Sequence, residues 1–177
     1  MKLKPTKISA VILSALLFAS CFCACEKQSE NIVKHFDTPE EVSDITGVAP
    51  IEFVPEGYKI AAHRAVYDIV SEVEYTPTEG TDKDFPKIAV FRAVDAVFST
   101  TNLSGFADTA LSEVYYPAVR SDLSLSIEER DEFLAVEWTD TFGGKECKMS
   151  LSLTCGSVDE FKKIIDGALE YIAANAK

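Results

Sequence analysis

The sequence predicts an α+β domain: a curved antiparallel sheet of about six strands, a C-terminal helix packed on one of its faces and a short N-terminal helix. Three observations carry that prediction. Segments between Tyr58 and Thr154 alternate apolar and polar residues and are separated by turn residues. The stretch after Ser157 places its apolar residues at helical spacing. A helix start signal, Thr38-Pro39-Glu40-Glu41, stands ahead of the first strand.

In chain order, residues 26–37 are polar and weakly patterned and read as a tether. Thr38 suits an N-cap, Pro39 the first helical position, and Glu41 completes a capping box. Val42 and Ile45 then face one way, and Gly47 stops the helix. The turn Pro55-Glu56-Gly57 leads into a strand over 58–62. Residues 66–75 read as a stronger strand, with Tyr67, Ile69, Val73 and Tyr75 on a buried face. Asp68, Glu72 and Glu74 fall on its wet face, the pattern of an antiparallel sheet. Residues 76–84 are rich in turn formers. Residues 87–97 are apolar on both faces, which places that strand centrally.

A loop over 102–108 follows, centred on Ser104-Gly105, then a short strand over 114–116 that stops at Pro117. Leu123, Leu125 and Ile127 alternate with serines, and 128–132 reads as a charged turn. A strand over 133–138, a hairpin at Gly143-Gly144 and a return strand over 147–154 complete the sheet. The return strand puts Cys147, Met149, Leu151, Leu153 and Cys155 on one face. Ser157 caps the last helix and Glu160 closes a second capping box. Phe161, Ile164, Ile165, Ala168, Leu169, Ile172 and Ala173 form its apolar stripe.

The 177 residues are 47% hydrophobic and 26% charged, a globular composition for one domain that buries its core without disulfides or metals. Residues 1–20 hold three of the 17 basic residues, Lys2, Lys4 and Lys7, and none of the 29 acidic ones, so the chain beyond residue 20 carries 14 basic against 29 acidic side chains. Such a domain is repelled by phosphate backbones and by anionic headgroups. Nucleic acid is therefore not an expected partner.

The N-terminus reads as a secretory leader. A basic start is followed by an apolar run over 8–22, a length that suits a signal segment and is short for a spanning helix. Leu17-Phe18-Ala19-Ser20-Cys21 resembles the lipobox of bacterial lipoproteins, with Phe18 where that pattern prefers an aliphatic residue. The resemblance implies that Cys21 receives the diacylglyceryl group and becomes the new N-terminus. Cys25, after Ala24 and before Glu26-Lys27, is the alternative lipidation site. Two or more acyl chains give stable anchoring, at about 0.8 kcal/mol per buried CH₂. The expected division is a signal peptide over 1–20, a tether over 21–37 and one domain over 38–177. The domain is then anchored at the extracytoplasmic face of the cell membrane.

Several short motifs recur in a familiar order. They are Thr38-Pro39-Glu40-Glu41 with Gly47, Val54-Pro55-Glu56-Gly57-Tyr58, Ile88-Ala89-Val90-Phe91-Arg92-Ala93 and Asn102-Leu103-Ser104-Gly105. Val136-Glu137-Trp138-Thr139-Asp140, Met149-Ser150-Leu151-Ser152-Leu153 and the final helix follow. From Thr38 to Ala173 the chain resembles uncharacterised secreted or lipid-anchored proteins of clostridial type, similar to DUF4367-related domains of unknown function. That resemblance implies a fold and a location and brings no activity.

Catalytic signatures are scarce. There is no C-x-x-C, since Cys21, Cys23 and Cys25 are spaced otherwise and belong to the leader, no H-x-H or H-E-x-x-H, no G-x-S-x-G and no phosphate-cradling glycine loop. No catalytic residue, metal ligand or cofactor is assigned. Cys147 and Cys155 stand eight positions apart in one strand, about 26 Å when extended. Bridged Cα atoms lie within about 7 Å, so both cysteines are expected as small buried apolar residues. His35 falls in the tether and His63 beside Arg64 near a strand end. The runs Asp82-Lys83-Asp84 and Glu128-Glu129-Arg130-Asp131-Glu132 lack the order of a calcium loop and read as solvated turns. Arg92 stands in an apolar strand and needs a partner, with Asp95, Glu137 and Asp140 as candidates. Trp138 shares the core-directed parity of Leu134 and Val136. Arg92 and Trp138 read either as a ligand pocket or as a structural ion pair beside a core aromatic.

The leading functional reading is a membrane-anchored binding or interaction module whose partner is an envelope polymer, an envelope protein or a small solute. The alternatives are an envelope hydrolase with a site assembled in three dimensions, and a regulatory envelope protein acting through a partner. A deep cleft gathering Arg92, His63 and carboxylates would favour the hydrolase.

Overall fold

The computed structural model describes residues 32–80, 86–98, 102–104 and 111–177. The leader with Cys21 and Cys25, the tether up to Asn31, the acidic run Asp82-Lys83-Asp84 and the loop from Gly105 to Asp108 lie outside the described residues. Among those described, no helix is long and apolar enough to cross a membrane.

The strands are β1 (Val33–Phe36), β2 (Tyr58–Val66), β3 (Val70–Pro77), β4 (Ala89–Asp95), β5 (Leu111–Tyr115), β6 (Leu125–Arg130), β7 (Phe133–Phe142) and β8 (Lys145–Thr154). The helices are α1 (Pro39–Thr46) and α2 (Val158–Ala174), with one 3₁₀ turn at Ala96–Phe98. All strands belong to one open antiparallel sheet in the order β1-β2-β3-β4-β8-β7-β6-β5. The α+β class and the C-terminal helix are as expected, but the described residues form eight strands rather than about six.

The difference has local causes. Val33–Phe36, read as tether, instead pairs with β2 from Val33↔Val66 to Phe36↔His63, so the folded unit begins at Val33. Residues 66–75 are not one strand. Tyr67 and Asp68 both take left-handed backbone, with φ of 53° and 57°, and turn β2 into β3. No Gly or Asn marks that turn, and its apolar flanks mimic a continuous strand. The expected charged turn at 128–132 shrinks to Asp131-Glu132, because Glu128, Glu129 and Arg130 continue β6. Gly143 and Gly144, both left-handed, make the β7–β8 turn as expected. The strand placed centrally by its two apolar faces, β4, does lie between β3 and β8.

One face of the sheet carries the main core. Phe91, Ala93, Val73, Tyr75, Met149, Leu151, Val136 and Trp138 line it, and both helices cover it. In α2, Phe161, Ile164, Ile165, Ala168, Leu169 and Ile172 are buried, while Ala173 at the end of the expected stripe is exposed. In α1 the buried positions are Val42 and Thr46, and Ile45, expected to share a face with Val42, is 39% exposed. The chain between α1 and β2 buries Val48 and Ile51, and the Tyr75 hydroxyl donates to the Ile51 carbonyl at 2.7 Å. That bond fixes the segment leading to Phe53.

The other face is polar but not wet. Register aligns His35, Arg64, Glu72, Arg92, Ser150 and Glu137 in one row across six strands. Glu72, expected on a solvated face, is only 4% exposed between Arg64 and Arg92. Val70, Val94 and Leu103 form a small second cluster there.

Candidate functional site

A cleft of about 360 Å³ opens between the turn that precedes β2 and the first half of α2. Local sequence explains its walls. Pro55-Glu56-Gly57 turns the chain, with the Tyr58 N–H donating to the Pro55 carbonyl at 3.0 Å. The Gly57 carbonyl accepts from both the N–H and the hydroxyl of Thr78, at 2.8 and 3.0 Å, which ties the turn to the end of β3. Phe53 leans on Tyr171, ring centroids 6.1 Å apart, and lies against Gly167. A Cβ at Gly167 would stand 2.8 Å from Phe53 Cζ, so the glycine makes the close approach of ring and helix. Glycine inside a helix costs about 1 kcal/mol relative to alanine, and here it admits Phe53. Phe53, Pro55, Tyr58 and Ile164 supply apolar surface; Glu56, Glu160 and Lys163 supply charge.

Glu160 sits at the centre. Ser157 caps α2 by accepting the Glu160 N–H at 3.2 Å, but the Glu160 carboxylate does not return to the cap, so the expected second capping box is not closed. Oε1 accepts instead from the Tyr58 hydroxyl at 3.2 Å, and Oε2 from Lys87 Nζ at 2.7 Å. Lys87 is held there by pairing around Ile88: the Ile88 N–H donates to Thr154 Oγ1 at 2.8 Å, and the Thr154 N–H to the Ile88 carbonyl at 2.9 Å. Burial, then the Glu160 charge and its hydrogen bond, raise the Tyr58 phenol well above its ordinary value, so it stays protonated as a donor. A second hollow of about 220 Å³, with Pro77, Gly80 and Lys87 in its wall, shares Glu56, Tyr58 and Glu160 with the cleft and continues it toward the end of β3.

The residues singled out from sequence lie elsewhere and apart. Arg92 faces the polar side, where its Nε donates to Glu72 Oε2 at 2.6 Å and its Nη1 to the Leu103 carbonyl at 2.9 Å. Of its expected partners, Asp140 pairs with Arg120 at 2.6 Å, and Asp95 accepts the Val97 N–H at 3.0 Å. Glu137 reaches Arg92 only through the loop, accepting the Leu103 N–H at 2.8 Å while pairing with Lys148 at 2.7 Å. Burial would raise the Glu137 carboxyl, but Lys148 and the N–H groups of Ser104 and Leu103 outweigh it and hold it below the usual carboxylate range. Arg64 completes this network through Glu72, 3.0 Å away, and through Glu74. Trp138 faces the helix side against Phe91, ring centroids 5.7 Å apart. The sheet therefore separates Arg92 from Trp138.

His63 lies in register with core-facing Val73, and its Nε2 is 3.2 Å from Glu52 Oε1, so the sheet also separates it from Arg92. Cys147 is buried as expected, and burial pushes its thiol up to about 11. Cys155 is a correction. It is exposed and left-handed, φ 55°, because the chain leaves β8 there, and its thiol donates to Glu132 Oε2 at 3.3 Å. Among the described residues no cluster of three or more His, Cys, Asp or Glu could hold a metal ion.

Sequence reasoning missed the cleft residues Phe53, Tyr58, Lys87, Glu160 and Gly167. One signal was available: a glycine in the middle of a strongly amphipathic helix asks for a close neighbour. Compared with known protein families, curated proteins and solved structures, the chain matches none.

Proposed function

We propose that the protein is an extracytoplasmic lipoprotein, anchored through Cys21 or alternatively Cys25, whose domain is a binding module with its ligand site in the cleft beside Glu160. The observation that carries the reading is the cleft itself. Its size falls in the range of small-ligand sites, and apolar walls surround a few fixed polar groups. Such a site suits a small solute better than an envelope polymer or protein. The resemblance to DUF4367-related domains belongs to the same proposal. A hydrolase using His63 and Arg92 is the weaker reading, since the sheet stands between them.

Two measurements test this. In bacteria expressing the full chain, Cys21→Ala should shift it from the membrane to the soluble fraction. Retention of that variant with release by Cys25→Ala moves the anchor to Cys25, and retention of both variants singly and together ends the anchoring reading. In a thermal-shift screen of the full chain in detergent, a ligand at about 100 times its dissociation constant adds about 2.7 kcal/mol of stability. Gly167→Ala, which forces Phe53 from its place, should abolish that shift. A shift untouched by Gly167→Ala places the ligand elsewhere.

A further inference from the structure

The charges around the cleft are of two kinds. Glu160 is internally satisfied, with Lys87 on one oxygen and the Tyr58 hydroxyl on the other, so it asks no charge of a ligand. Glu56 and Lys163 are different. Both line the cleft, both are exposed, and neither pairs with another side chain among the described residues. The cleft thus offers one free anion and one free cation over an apolar floor of Phe53, Pro55 and Ile164.

The geometry points to a zwitterionic ligand of the α-amino-acid type with an apolar side chain, its ammonium toward Glu56, its carboxylate toward Lys163 and its side chain on the Phe53–Ile164 floor. This rests on the reading of the cleft as a ligand site. A simple anion would meet Lys163 but also Glu56 and the field of a strongly acidic domain. A simple cation would leave Lys163 opposing it. A neutral apolar molecule would leave both charges to water and gain nothing from either. A ligand carrying both charges and an apolar body satisfies every free group, and about 360 Å³ accommodates one amino acid or a dipeptide.

Three probes of one ring and one chain length separate these cases: L-phenylalanine, phenethylamine and 3-phenylpropionate. Titrated into the full chain in detergent by calorimetry, L-phenylalanine should bind about fivefold tighter than either singly charged analogue, the upper range for a partly exposed ion pair. Glu56→Gln should reduce phenylalanine to the level of 3-phenylpropionate, and Lys163→Gln to that of phenethylamine. Both residues are exposed, so neither variant should move the melting temperature of the free protein. Equal binding of all three probes, each weakened by Gly167→Ala, would keep the cleft as a ligand site and overturn the zwitterion. No binding of any probe at millimolar concentration would overturn the zwitterion, with the screen above left to decide the cleft.

Discussion

The two helices begin with the same sequence signal and end differently. Thr38-x-x-Glu41 and Ser157-x-x-Glu160 both spell a capping box. At α1 the box closes: Thr38 accepts the Glu41 N–H at 3.4 Å, and the Glu41 carboxylate accepts the Thr38 N–H at 3.2 Å. At α2 only the first half forms, and Glu160 is drawn away to Lys87 and Tyr58. The cause lies in the surroundings. Among the described residues Glu41 meets no competing cation or phenol and serves its own backbone. Glu160 meets the Lys87 ammonium, just ahead of β4, and a phenol positioned by β2, and a full cation with a second donor outcompetes one backbone N–H. The α2 terminus gives up half a cap, and the molecule gains a polar centre in a cleft.

α2 tolerates this because its position depends on its buried stripe rather than its cap. Six of its residues are buried against the sheet, whereas α1 buries only Val42 and Thr46. Ile165→Asp puts an unpaired charge into the main core and should cost more than about 4 kcal/mol, enough to unfold the domain. Ile45 in α1 is 39% exposed, so Ile45→Asp should lower the melting temperature far less than Ile165→Asp. Circular dichroism melts of both variants check the contrast. A stable, folded Ile165→Asp would break it.

A smaller effect tests the caps themselves. Thr38→Ala and Ser157→Ala should each cost about 1 kcal/mol, since each removes an N-cap acceptor. The difference lies in coupling. In double-mutant cycles read by urea unfolding, Thr38 and Glu41 should couple by a few tenths of a kcal/mol or more, and Ser157 and the Glu160 carboxylate should not. Glu160 should couple to Lys87 instead. Coupling of Glu160→Gln with Ser157→Ala as strong as that of the α1 pair would mean that Glu160 caps its helix in solution.

The contrast also marks how far the sequence could be read. Much of what periodicity within one element governs was legible: the α2 stripe as far as Ile172, the β8 parity from Cys147 to Leu153, the central place of β4 and the Gly143-Gly144 turn. The turn at Tyr67-Asp68 and the exit at Cys155 failed for local reasons, a left-handed backbone without a glycine to announce it; the other failures depended on partners distant in sequence. Val33–Phe36 becomes a strand only because β2 offers a free edge. Glu72 is buried only because two arginines from flanking strands enclose it. The cleft joins residues 53–58 to residues 160–167, and no local pattern relates them. Arg92 was rightly expected to need a partner, but the partner lies across the β3–β4 ladder rather than among Asp95, Glu137 and Asp140.

A third carboxylate extends the comparison, because Glu137 does for a loop what Glu41 does for a helix. It accepts the N–H groups of Leu103 and Ser104, at 2.8 and 2.5 Å, while Arg92 holds the Leu103 carbonyl. The Leu103 side chain is thereby pressed onto Val70 and Val94. The folded pKa of Glu137 lies below that of an unfolded glutamate, about 4.3. Its contribution to stability is therefore complete above that value and is lost as pH falls through the folded pKa. Glu137→Gln keeps the shape and removes the titration. The variant should be less stable than the wild type in urea at pH 7, and the gap should narrow as pH falls from the ordinary glutamate range through the folded pKa of Glu137. A gap that stays constant across that range would mean that the loop is held by Leu103 packing and Arg92 alone, and that the charge of Glu137 adds nothing to it.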